Sequence, residues 1–411
     1  MSFKDLKLIK PLLKATEASG YTEPTLVQQK AIPLVLEKKD VIVSAQTGTG
    51  KTAAFALPIL QQLFDRQDAP KKGKKIKALI ISPTRELAIQ IQQNFKTYAQ
   101  FTNLRSLVVF GGASIEPQID VLKKGIDILV ATPGRLLDLH KQDYVNLDYV
   151  ENFVLDEADL MLAMGFIDDV KKIERLCPEN KQTLLFSATI PYKIEELAKT
   201  ILKDPERIDV TPTHSVAKDI SQVLYYVPKR NKIELCLHLM RNTIKGNVLI
   251  FRRTKFGVNK LEQTLLKNGY KVDTIHGDKN QSDRQTALNK FKNGYVNVLI
   301  ATDVAARGID IDELDNVFNF DMPNVAETYV HRIGRTGRAG NIGKSYAMCS
   351  ADEKSYVKTI EEYINVQIPV ENEHPYPLDP KAKPIVHKKK GSKYKKGRKS
   401  IASKKKKKRW Y

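Results

Sequence analysis

Six short apolar runs, at residues 41–43, 78–81, 107–110, 126–131, 153–155 and 184–186, are each followed by a longer amphipathic stretch. Six more follow in the second half, at 223–227, 248–251, 272–275, 298–301, 317–320 and 346–349. Runs this short suit buried strands, and their alternation with helical periodicity predicts parallel sheets crossed over by helices. Because the pattern runs twice in 411 residues, two tandem domains are expected. Between the series, residues 203–219 carry Pro205 and Pro212 with little periodicity, which predicts a linker that lets the halves move. The expected division is a first domain at 1–206, a linker at 207–220, a second domain at 221–368 and a tail at 369–411.

Charge divides the chain in the same way. Its net charge is +21, and 16 of the basic residues lie between Lys381 and Tyr411, where there is no acid, leaving about +5 (21 − 16) for the rest. The tail is expected to be disordered and to meet a polyanion. Cys177, Cys236 and Cys349 are far apart and form neither a disulfide framework nor a zinc pattern. With no apolar run of membrane-spanning length, a cytoplasmic protein without a membrane partner is expected; oligomeric state is not indicated.

AQTGTGKT (45–52) follows the first apolar run and opens a helix, the setting of a phosphate loop. Gly48 and Gly50 would let backbone N–H groups approach phosphates, Lys51 would supply a point charge and Thr52 could hold Mg²⁺. Ala45 stands where the general pattern has Gly, so the motif by itself also fits a bland glycine turn. VLDEAD sets Asp156, Glu157 and Asp159 at the end of a later run, where strand ends line the crevice of a parallel sheet. Asp156 would face the metal and Glu157 would activate water. Carboxylates starting a helix are also common for dipole reasons alone.

Taken together with GYTEPTLVQ, PTREL, the Gly111 and Gly112 pair, TPGR, SAT, HGDKNQSDR, ATDVAARGID and HRIGRTGR, these motifs resemble the DEAD-box RNA helicases over about residues 3–365. The family's phosphate loop begins with Ala. The resemblance implies two tandem RecA-like domains, each a mainly parallel sheet flanked by helices, ATP and Mg²⁺ as cofactors, and RNA as partner. It assigns ATP contacts to Tyr21, Gln28, Gln46, Thr47, Gly48, Thr49, Gly50, Lys51, Thr52, Asp156 and Asp310, and the metal to Thr52 and Asp156. Catalytic roles fall on Lys51, Glu157, His331, Arg335 and Arg338, the two arginines acting from across the cleft. RNA contacts fall on Thr84, Arg85, Gly112, Thr132, Arg135, Arg284 and Thr302.

The implied activity is hydrolysis of ATP to ADP and phosphate with local RNA unwinding or remodelling of RNA–protein complexes, in ribosome assembly or RNA decay. A clamp or annealer, or a DNA helicase of the same superfamily, is the alternative. The flavour of the motifs and the basic tail is most like the bacterial RhlE-type subgroup. Arg252 and Arg253 make LIFRRTK more basic than usual for the family.

Overall fold

The structure, a computed structural model, describes residues 1–45, 48–64, 75–210, 220–306, 314–337, 343–379 and 381–382. Seven parallel strands make the first sheet: β1 (Val41–Ser44), β2 (Ala78–Ile81), β3 (Ser106–Val109), β4 (Ile128–Ala131), β5 (Asn152–Leu155), β6 (Gln182–Ser187) and β7 (Glu206–Asp209). Their spatial order is β3-β4-β2-β5-β6-β1-β7. The second sheet is also parallel, with β8 (Ile220–Tyr226), β9 (Val248–Arg252), β10 (Val272–Ile275), β11 (Val298–Thr302), β12 (Asn316–Asn319) and β13 (Gly343–Cys349) in the order β10-β11-β9-β12-β13-β8.

Helices cover both faces of each sheet, so the central strands are buried on two sides and read as continuous apolar runs. Two core clusters divide the first sheet by face: Val41, Val43, Ile80 and Phe186 point to one, Ile42, Leu79, Ile81 and Leu185 to the other. The period of two along a strand produces this division. The second sheet repeats it around Ile250 and Phe318 on one face and Leu249 and Val317 on the other.

All twelve runs predicted as strands are strands, and three boundaries differ from the expectation. A seventh strand, β7, pairs with β1, and Val210 N–H continues the ladder by donating to Ser44 O at 2.8 Å. The first domain therefore extends to residue 210, and β7 eluded the apolar pattern because only Ile208 of its four residues is buried. The remaining linker, 211–219, lies outside the described residues. The third difference is at the tail, whose first part is placed against the domain. Val370 bridges Leu224 in parallel, Glu371 N–H donates to Leu224 O at 2.9 Å and Leu378 N–H to Tyr226 O at 3.0 Å. Tyr376 packs on the core and His374 meets the Tyr225 ring edge-on at 5.7 Å. Proline excludes a helix here but not an added edge strand, which needs N–H groups only at alternate residues. The Lys-rich run from 383 lies outside the described residues.

Candidate active site

Strand order sorts the motifs. β5, β6 and β1 are neighbours, so the segments leaving their carboxyl ends, DEAD, SAT and the phosphate loop, converge. β3, β4 and β2 are likewise adjacent, and they gather Gly112, Thr132 and Thr84 on the other half of the same edge. This is the edge at which open parallel sheets bind ligands.

Lys51 begins the helix Lys51–Phe64, and its Nζ donates to Glu157 Oε1 at 2.9 Å with both side chains buried. Burial opposes the ammonium, but the charges of Glu157 and Asp156 outweigh it and raise its pKa. Burial alone would raise the pKa of Glu157; the Lys51 charge and hydrogen bond reverse this and hold it lowered, helped by His331 and Arg335. Asp156 lacks such a partner. Burial and the Glu157 charge push its pKa up to about 7, and its Oδ1 has no hydrogen-bond partner. Glu157 sits at φ 55°, a left-handed turn that aims its side chain at Lys51 before the helix Ala158–Ala163 starts.

The third acid of the tetrad ties this strand end to its neighbour. Asp159 N–H donates to Ser187 Oγ at 3.1 Å, and Thr189 Oγ1 donates to Asp159 Oδ2 at 3.1 Å. Gln28 is buried, contrary to the exposed helix position it would occupy outside its motif. Its Nε2 donates to Gly50 O at 3.2 Å and its Oε1 accepts from Thr25 N–H at 3.0 Å, while Thr25 Oγ1 donates to Thr49 O at 2.8 Å. Gly50 has φ +87°, and a Cβ there would collide with Gln28 Nε2. Tyr21 stacks on Phe3 at 6.0 Å and its hydroxyl meets that of Tyr98 at 2.8 Å, leaving the ring partly exposed. Thr52, half-buried, follows Lys51 in the same helix.

The second domain approaches from the opposite side. The helix Ala326–Ile333 follows β12 and carries His331, with buried Arg335 just beyond its end. Arg332, in the same motif, holds the second domain together instead. Its guanidinium grips Asp303 with bonds of 2.6 and 2.9 Å, donates to Asn319 Oδ1 and Asp321 O, and lies over the Phe251 ring. Reading the motif alone does not separate this structural arginine from Arg335. Arg252 and Arg253, the basic departures, are also internally paired, Arg252 with Asp321 and the Phe320 face, Arg253 with Glu353 and Met322 O. Gln46, Thr47, Asp310 and Arg338 lie outside the described residues.

Between the domains runs a cleft of about 570 Å³ lined by Thr84, Arg85, Thr132, Arg135, Lys279 and Arg284, among others. Gly112, at φ +71°, leaves the space that the Arg85 guanidinium occupies. Thr302 ends β11 beside the cleft without lining it. Arg284 Nη1 lies 3.1 Å from Glu86 Oε1 across the domains, yet neither Glu86 oxygen is aligned for a hydrogen bond and Arg284 Nε has no partner. Arg135 donates from Nη2 to Ala113 O at 2.9 Å and keeps Nη1 unbonded. Both arginines thus keep a buried N–H without a partner, while their guanidinium charges line the cleft. Sequence reasoning does not single out Glu86 and Lys279, though both sit inside recognised motifs.

The DEAD/DEAH box helicase family matches residues 25–197, and the helicase conserved C-terminal domain matches residues 231–340. The chain belongs to the DEAD-box ATP-dependent RNA helicases. The ATP-dependent RNA helicase DbpA of Bacillus subtilis is 42% identical over 366 residues, 89% of this chain and 75% of that protein. Among solved structures, S. cerevisiae Dbp5 bound to RNA and ADP BeF3 is 31% identical, covers 90% of this chain and 95% of that one, and superposes with a TM-score of 0.80. Mss116p bound to ssRNA and AMP-PNP, also 31% identical, covers 91% and 79% with a TM-score of 0.81. This DEAD-box protein is an ATP-binding RNA helicase with two parallel-sheet α/β domains of the RecA type. No helix of the described residues is long and apolar enough to cross a membrane.

Proposed function

We propose that the helicase hydrolyses ATP only when its two domains close on RNA, with Glu157 orienting water and Arg335 and Arg338 stabilising charge on the γ-phosphoryl group. The observation that carries this reading is the buried pairing of Lys51 Nζ with Glu157 Oε1 at 2.9 Å, at a carboxylate whose pKa Lys51 lowers against burial and the charges of His331 and Arg335 in the second domain lower further. Lys51 Nζ thus holds Glu157 Oε1. Incoming phosphates would draw Lys51 away and free the carboxylate to accept a proton from water. Gln46, Thr47, Gly48, Thr49 and Gly50 would frame the phosphates. Gln28, already bound to the Gly50 carbonyl, would present its amide to adenine, with Tyr21 at the ring and Asp310 at the ribose.

The residues fit Mg²⁺: Asp156 has a buried oxygen without a partner and a proton affinity raised by burial and by Glu157, both of which a cation would relieve. Asp156 and Thr52 would hold it, partly through water. Bound there, Mg²⁺ supplies charge neutralisation for the phosphate oxygens.

In the cleft, Thr84, Arg85, Gly112, Thr132, Arg135, Arg284 and Thr302 would contact RNA phosphates and sugars, giving sequence-tolerant binding. The basic tail would hold RNA non-specifically by counterion release. In our reading the tail and the motif flavour favour an RhlE-type helicase, acting on ribosomal RNA in ribosome biogenesis. Three buried, free cysteines fit the cytoplasm. Glu157→Gln tests the central role: ATP and RNA binding should survive while turnover falls at least about 100-fold. Full ATPase activity in that variant would refute the role.

A further inference from the structure

On its second-domain wall the cleft offers Lys279 and Arg284 for phosphate and sugar but no aromatic ring for a base, the Phe166 of the opposite wall being packed against the core of the first domain. We infer that Phe256 supplies one, as a stacking platform for a base of the RNA strand where it passes the second domain; this rests on the reading of the cleft as the RNA site.

Phe256 is the second residue of the helix Lys255–Lys267, which starts from a cap in which Thr254 Oγ1 accepts from Gly257 N–H at 3.1 Å. The helix buries Val258, Leu261 and Leu265 against the sheet, whereas Phe256 is 76% exposed and adds nothing to that core. Isolated exposed aromatics are ordinary on protein surfaces, so location has to decide. Lys255 pairs with Asp278 at 2.7 Å, and Asp278 stands between Gly277 and Lys279, both in the cleft wall. Phe256 is thereby tied to the rim on the cleft edge of the second sheet, with Arg253 and Lys255 as neighbours in the chain. Another exposed aromatic, Tyr295, precedes β11 and so belongs to the opposite edge.

An exposed ring at the rim of a cleft lined by Arg85, Arg135, Lys279 and Arg284 suits a single strand, because the charges follow the backbone and any base has a π face to stack. Purines offer more area than pyrimidines, so stacking here would give the enzyme a mild purine preference at one position, which phosphate contacts cannot supply.

The test uses the full chain with single-stranded RNA oligonucleotides carrying 2-aminopurine at successive positions, bound with a non-hydrolysable ATP analogue. Wild type should quench the fluorophore at one position. Phe256→Ala should lose that quenching and Phe256→Trp should keep it. In parallel, Phe256→Ala should raise the half-saturating RNA concentration of the ATPase roughly 5- to 10-fold, the lower range for one stacked base, with RNA-free ATPase and melting temperature unchanged. Unaltered quenching and half-saturation in Phe256→Ala, with wild type stimulated by RNA, would overturn the inference alone. Failure of RNA to bind or stimulate wild type would overturn the cleft reading and this inference with it.

Discussion

Asp156 and Glu157 are adjacent carboxylates with opposite shifts, and the cause is geometric. Glu157 reaches Lys51 at 2.9 Å, whereas Asp156 is buried with an orphaned oxygen and a pKa near 7. An aspartate whose folded pKa lies above its unfolded value of about 3.9 costs stability as pH rises between the two. Asp156→Asn should therefore melt higher than wild type at pH 8 and show little gain at pH 4, while losing ATPase activity; calorimetry at both pH values checks this. An equal gain at both would mean that deprotonation of Asp156 is not the strain. At Gly50, alanine would have to adopt φ +87° and displace Gln28. Gly50→Ala should weaken ATP binding about 10-fold or more in equilibrium titrations, roughly the effect of 1.4 kcal/mol.

At the scale of elements, the sequence pattern reveals buried strands well because parallel strands covered on both faces are apolar throughout. It conceals β7 and the segment 369–379, whose pairing uses backbone groups and a few side chains such as Val370 and Tyr376. Motifs likewise disclose residue types without their partners: HRIGRTGR does not reveal that Arg332 is spent on Asp303, since that follows from how the helix Ala326–Ile333 lies on β12. Gln28 stands out in the sequence as a candidate contact, but its bond to Gly50 requires the fold. The segment bridged to β8 carries a prediction. Ending the chain after Ala382 should leave the melting temperature unchanged and raise only the half-saturating RNA concentration through loss of the basic tail. Ending it after Ile368 should also destabilise the second domain by about 1–3 kcal/mol, as burial of Tyr376 is lost and the β8 edge is exposed. Equal melting of the two truncations would show that the segment contributes nothing to the domain.

At the scale of the whole molecule, each domain holds half of two sites. The first domain supplies Lys51, Asp156 and Glu157, the charges of His331 and Arg335 in the second help to lower the pKa of Glu157, and Arg284 lies 3.1 Å from Glu86 across the cleft. In the proposed mechanism neither domain alone assembles the cationic environment that a transferring phosphoryl group needs, so hydrolysis and RNA grip would be linked by closure. Arg335→Ala should lower the maximal RNA-stimulated rate about 10³-fold with ATP affinity little changed, measured by steady-state kinetics and nucleotide titration. A comparable loss in affinity would place Arg335 in ground-state binding. The most direct measurement is the ATPase rate of the full chain against rising single-stranded RNA and against DNA of the same sequence. Coupled closure on RNA predicts saturable stimulation by RNA with little by DNA, and equal stimulation by both, or by neither, would contradict it.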